Sequence, residues 1–127
     1  MQSVYKAGIT NVKLKQVYLS AHEPEGLARF YEDLGLPIRF EDAGKWVQFS
    51  SEKVAFCIAG PTESVSSPAR GAVLVYETED LEAMIVKARA AGAEVSDEIR
   101  DMASHGRTVQ VRDPQGNLIQ FYQAASE

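Results

Sequence analysis

Few side chains in this sequence could do chemistry by themselves. It holds two histidines, His22 and His105, one cysteine, Cys57, and one tryptophan, Trp46. His105 stands in the loop-like run SHGR, where an imidazole could gate a site or carry a proton. A solvated loop histidine is the plainer reading. His22 sits where a strand-like run gives way to a helical one. Cys57 has apolar neighbours in KVAFCIAG and reads as a small buried residue, not a nucleophile. The acidic run ETED at 77–80 reads as a strand end meeting a helix N-terminus, where carboxylates suit the dipole. Glu41 and Asp42 with Gly44 read as a hairpin turn. The sequence has no HExxH pair, no serine nucleophile elbow and no phosphate-cradling glycine loop.

The elements that must position these residues come from a chain of 127 residues, enough for one domain with its own core. Apolar residues make up 45% and charged residues 24%, a globular balance. The net charge of −5 and the absence of a basic stripe argue against nucleic acid. That charge would tolerate a cationic small molecule, or simply keep the domain soluble. No stretch approaches the roughly 18 apolar residues of a membrane span. The first residues show no basic segment followed by an apolar run, and a lone cysteine allows no intrachain disulfide. These features predict a cytoplasmic protein that engages neither membrane nor nucleic acid.

The chain repeats itself. The strand-like run NVKLKQVYLSA is followed by EPEGLARFYEDLG, a helix with Pro24 in its first turn and Leu27, Phe30, Tyr31 and Leu34 as its apolar stripe. The second half opens with GAVLVYET, then Asp80 as N-cap, then LEAMIVKARAAG with Leu81, Met84, Ile85 and Ala88 as its stripe. Gly35 and Gly92 end the two helices as left-handed caps. Gly35 to Gly92, Glu23 to Asp80 and Leu27 to Met84 are each 57 positions apart. Three further strands follow each helix. The spacing predicts an α+β fold of two βαβββ modules, at about 12–60 and 71–125, within a single domain at 12–125. The Pro- and Ser-rich run at 61–70 reads as the linker.

Two segments carry a family resemblance. QVYLSAHEPEGLARFYEDLGL, with its FYxxLGL ending, and HGRTVQVRDPQGNLIQFYQ, with its DPxGN turn, resemble the first strand–helix and the last hairpin of the glyoxalase / bleomycin-resistance / extradiol-dioxygenase superfamily, the vicinal oxygen chelate fold. In that turn Gly116 and Asn117 are the residues suited to positive φ. The resemblance spans roughly residues 12–125. It implies a curled mixed sheet forming a cup. It also implies four inward-facing positions, one on each of four strands, that usually hold a divalent metal through His, Glu or Gln and stabilise developing negative charge on the substrate.

Carried onto this chain, the first position is Gln16, seven residues before Glu23. Val73, seven before Asp80, is its counterpart in the second half. The third is Gln120, three after the Asn of DPxGN. The fourth is Phe56, if Lys53 stands where Asn117 does. Valine and phenylalanine donate nothing to a metal, and neutral amides are weak ligands. No charged ligand offsets the cost of stripping water from a divalent ion. The expectation is therefore no metal and no other cofactor.

Strand alternation then assigns the walls. With Gln16 goes Tyr18, with Val73 goes Val75, with Phe56 go Val54 and Ile58, and with Gln120 go Leu118 and Tyr122. Trp46 falls near the cup mouth. Such a wall suits a mostly apolar or aromatic small molecule met by two amides and two phenols. Alternatively, these side chains meet and fill the cup as ordinary core.

Two functions compete. The resemblance, read with the missing ligands, implies a metal-free binder of the bleomycin-resistance, antibiotic-resistance type, commonly a homodimer. The alternative is a metal-dependent lyase, isomerase or ring-cleaving dioxygenase of the same superfamily, supported by the fold and Gln16. The reading leans away from an enzyme. Were there catalysis, His105 is the weak candidate for a proton carrier. A third possibility is a partner subunit that kept only the fold.

Overall fold

The computed structural model describes residues 12–126. Strand β1 (Val12–Ser20) leads into helix α1 (Pro24–Asp33), then β2 (Ile38–Asp42), β3 (Trp46–Phe49) and β4 (Ala55–Ala59). The plan recurs in β5 (Val73–Thr78), α2 (Leu81–Ala90), β6 (Glu94–Asp101), β7 (Arg107–Arg112) and β8 (Leu118–Gln123), with one 3₁₀ turn at Ala103–His105. All eight strands form one curled, open sheet in the order β2-β3-β4-β1-β5-β8-β7-β6. That order reads the same from either edge. β1 pairs parallel with β4, β5 pairs parallel with β8, and β1 meets β5 antiparallel at the seam. One chain therefore contributes both walls of a single cup.

Local chemistry explains the helix ends. Pro24 opens α1, where its missing N–H costs no intrahelical bond. Asp80 caps α2 by accepting from the Ala83 amide at 3.0 Å. Glu23, its counterpart, makes no such side-chain bond. Gly35 and Gly92 close the helices at φ +108° and +100°. The next amides, Leu36 and Ala93, return to the carbonyls of Tyr31 and Ala88.

The α2 stripe packs as expected, with Leu81 and Ile85 buried and Met84 and Ala88 against them. The α1 stripe is corrected. Leu27 and Tyr31 face the sheet beside buried Pro24 and Ala28, while Phe30 and Leu34 are 55% and 65% exposed. The Ala28 methyl allows close approach, so the helix is rolled toward that side and carries Phe30 and Leu34 outward.

The DPxGN turn is held by Asp113. Its carboxylate accepts from the backbone amides of Gln115 and Asn117 and from the Asn117 side chain, all at 2.9 Å. These bonds hold its carboxyl below the ordinary value. Only Gly116 takes positive φ (+88°); Asn117 does not, because its side chain is already engaged by Asp113.

The run at 61–70 does more than connect. Val65 packs against the cup cluster, and Ser64 hydrogen-bonds Ser20 of β1. The segment folds back over one end of the cup.

Candidate functional site

Register decides which residues face the cup. Gln16 lies opposite Ala55 and Tyr18 opposite Cys57, whereas Val17 lies opposite Phe56 and Leu19 opposite Ile58. Tyr18, Cys57, Ala59, Val73 and Val75 form one buried cluster, joined by Trp46, Ala55 and Tyr122. Phe56 and Ile58 pack on the other face with Ala28, Leu27 and Tyr31 of α1. Phe56 stacks on Phe49, with ring centroids 5.1 Å apart.

Phe56 and Ile58, expected on the cup wall, therefore face α1, and Cys57 between them faces the cup. The matching of Lys53 to Asn117 placed β4 one residue out, and with period-2 alternation a one-residue slip reverses every face. Symmetry gives the right partner. Val75 stands opposite Gln120 as Tyr18 stands opposite Cys57, so Cys57 is the counterpart of Gln120. The four positions become Gln16, Cys57, Val73 and Gln120. Val54 lies just before β4, outside the strand, and Leu118 opens β8 away from the cluster.

The cup is a cleft of about 550 Å³. It brings together Gln16, Tyr18, Trp46, Val75, Gln120 and Tyr122 from the expected set, and His105 at its rim. Val73 lies beneath, 1% exposed, and does not reach the opening. His22 is exposed on the β1–α1 turn and is not among the lining residues.

A larger groove of about 930 Å³ runs elsewhere, between the 61–72 connection, Met84 of α2 and the β7–β8 turn. Tyr76 and Asn117 line it, but Gln16, Gln120, Tyr18 and Tyr122 do not. The cup is the better site, because convergent polar groups on an aromatic wall give a ligand both area and orientation.

A chain of hydrogen bonds crosses the cup. The Val65 amide donates to Tyr18 Oη at 3.2 Å, and Tyr18 Oη donates to Gln120 Oε1 at 2.8 Å. Burial pushes the Tyr18 phenol above its ordinary value, so it stays a neutral donor. Trp46 meets Tyr18 edge-on, with centroids 5.5 Å apart. The Cys57 thiol donates weakly to Gln16 Oε1 at 3.9 Å, and burial pushes it up to about 12. Burial also raises the Tyr122 phenol.

The wall carries more charge than the sequence reading expected. Asp42 and Lys45 come from the β2–β3 hairpin, Arg100 and Asp101 from the end of β6, and Glu63 from the connection. Arg100 reaches both Glu63 carboxylate oxygens at 3.3 Å. Lys15 enters because the register of β1 against β5 shifts between Leu14 and Gln16, so that consecutive residues line the cup. Its ammonium lies 4.9 Å from the centre of the Tyr122 ring. No strand pattern announces turns that lean over a cup. The only legible signal was their polarity beside edge strands.

The donor set does not fit a divalent cation. Val73 has no donor atom. The Cys57 side chain is fully buried with its thiol toward Gln16, and Gln120 Oε1 is taken by Tyr18. Among the described residues no group of three His, Cys, Asp or Glu side chains converges for a metal.

Comparison with known proteins agrees with the architecture. Residues 13–121 match the Glyoxalase/Bleomycin resistance protein/Dioxygenase superfamily, and the chain belongs to it. It is 31% identical over 111 residues to an uncharacterized protein of Mycolicibacterium smegmatis, covering 87% of this chain and 92% of that one. Its fold is similar to a hypothetical protein of Bacillus halodurans (TM-score 0.70, 18% identity, 91% and 96% of the two chains). It is also similar to the Mn(II)-bound glyoxalase of Novosphingobium aromaticivorans (TM-score 0.61, 18% identity), covering 91% of this chain and 40% of that one. Among the described residues no helix is long and apolar enough to cross a membrane.

Proposed function

We propose that this chain is a small-molecule-binding member of the superfamily whose cup takes a mostly apolar or aromatic ligand without a catalytic metal. One observation carries the reading. The four positions at which the resemblance implies a metal hold two neutral amides, a buried thiol and a valine, beside a cleft lined by aromatic side chains. Trp46, Tyr18 and Tyr122 supply flat apolar surface, and Gln16 and Gln120 supply orientation. The role is of the bleomycin-resistance type, sequestering a small molecule rather than transforming it. The protein would act in the cytoplasm as a homodimer.

A thermal-shift screen across aromatic antibiotics and small phenolic metabolites tests this. A true ligand held at 100 times its dissociation constant adds about 2.7 kcal/mol of stability. Trp46→Ala should weaken that gain, and Phe56→Ala, on the opposite face, should leave it intact. A library in which nothing shifts the melt, or a shift indifferent to Trp46, would contradict the reading.

A further inference from the structure

Resting on the binding reading above, we propose that the cup's ligand is an aromatic or apolar carboxylate, its anionic oxygens received by the amide groups of Gln16 and Gln120 and the ammonium of Lys15. The argument is one of unmatched donors. Because Tyr18 Oη already accepts from the Val65 amide, its own proton goes to Gln120 Oε1, and this fixes the orientation of that amide. The Gln120 carbonyl is thereby consumed, and its NH₂ has no protein acceptor among the described residues. The Cys57 S–H lies 3.9 Å from Gln16 Oε1, and the Gln16 NH₂ has no protein acceptor among the described residues. Both residues line the same cleft and present N–H groups to it, and Gln48, a third amide on the wall opposite Cys57, has neither end engaged among the described residues.

The placement of one cation supports this. Lys15, half-buried next to Gln16, makes no ion pair among the described residues and only faces the Tyr122 ring. Of the acids on the wall, Glu63 is held by Arg100, while Asp101 keeps its charge and accepts from the Ala103 amide at 2.8 Å. Three basic side chains, Lys15, Lys45 and Arg100, and three acidic ones, Asp42, Glu63 and Asp101, line the cup, so its wall is neutral where the whole chain carries −5. Ammonium and amide donors converging in a partly desolvated cleft are matched by an acceptor-rich anion.

Isothermal titration with a matched series tests this: naphthoate, naphthylmethanol and naphthylmethylammonium share one ring system and differ only in the polar group. Naphthoate should bind at least about tenfold more tightly than the alcohol, the cation should bind most weakly, and the naphthoate advantage should shrink with added salt. Lys15→Met should reduce naphthoate affinity about tenfold while leaving the alcohol unchanged. Lys15→Gln provides the same test with a polar side chain if the methionine variant melts early. If the cation binds as tightly as the carboxylate, or if neither lysine variant separates carboxylate from alcohol, the inference fails and the binding reading stands. If none of the three binds, the inference fails, and the binding reading is decided by the thermal-shift screen.

Discussion

Tyr18 and Gln120 are 102 positions apart and are joined at 2.8 Å across the seam of the sheet, from β1 of the first module to β8 of the second. Tyr18 is 1% exposed, and its oxygen also receives the Val65 amide, so one phenol ties both walls and the connecting segment together. Tyr18→Phe should cost about 1–3 kcal/mol in denaturant unfolding, because it leaves the buried Gln120 carbonyl and the half-buried Val65 amide unpaired. The double variant with Gln120→Met should be less destabilised than the sum of the two singles, with a coupling of about 0.5–3 kcal/mol. Strict additivity would mean that the bond is not formed.

Cys57 should be inert in the folded protein. Burial raises its thiol from 9.0 to about 12, so at pH 8 almost no thiolate exists to attack a thiol reagent. Labelling should follow unfolding rather than reagent concentration. The linkage has a definite sign. Between about pH 9 and pH 12 the unfolded chain has lost this proton while the folded chain keeps it. The contribution is complete below pH 9 and is lost as pH rises toward 12. Stability of the parent protein relative to Cys57→Ala should therefore decline across that window.

Phe56 and Trp46 should show opposite profiles. Phe56 stacks on Phe49 and meets Tyr31 edge-on, with centroids 5.2 Å apart, on the α1 face. Phe56→Ala should cost about 3 kcal/mol of stability without altering ligand affinity once the protein is folded. Trp46→Ala should lower affinity more than stability. A binding loss confined to the Phe56 variant would return that side chain to the cup.

Gly106 should tolerate no side chain. It adopts φ +89°, and a Cβ placed there would lie 2.3 Å from the Gln123 carbonyl oxygen and 2.9 Å from the Tyr122 ring. Gly106→Ala should lower the melting temperature and displace Tyr122, visible as a changed near-ultraviolet circular dichroism signal. An unchanged spectrum and melt would contradict this packing.

Much of this was legible beforehand, for identifiable reasons. The 57-residue offset exposed the duplicated βαβββ plan because helix caps and apolar stripes are local signals that survive in a single sequence. The resemblance supplies Gln16 and Gln120 as anchors, and alternation within a strand then carries Tyr18 and Tyr122 into the cup, because it needs only one correct anchor. Phe56 failed because its anchor was borrowed across turns of unequal length. Gln120 lies 63 positions after Cys57, not 57, so the offset that holds for the helices does not extend to β4 and β8. The small residues Ala55, Cys57 and Ala59 alternating with large Phe56 and Ile58 were the missed clue, since the large ones fill the space beneath α1. The charged rim and the folded-back 61–70 segment depend on how turns lean in space, which strand periodicity does not encode.

The central claim is that the cup needs no metal, and metal loading tests it most directly. Purified protein should be incubated with Zn, Ni, Mn or Fe, dialysed, and measured by plasma mass spectrometry. The account predicts far less than one ion per chain, and the same residual content in Gln16→Leu and Gln120→Leu. One ion per chain that survives dialysis and disappears in those two variants would contradict it.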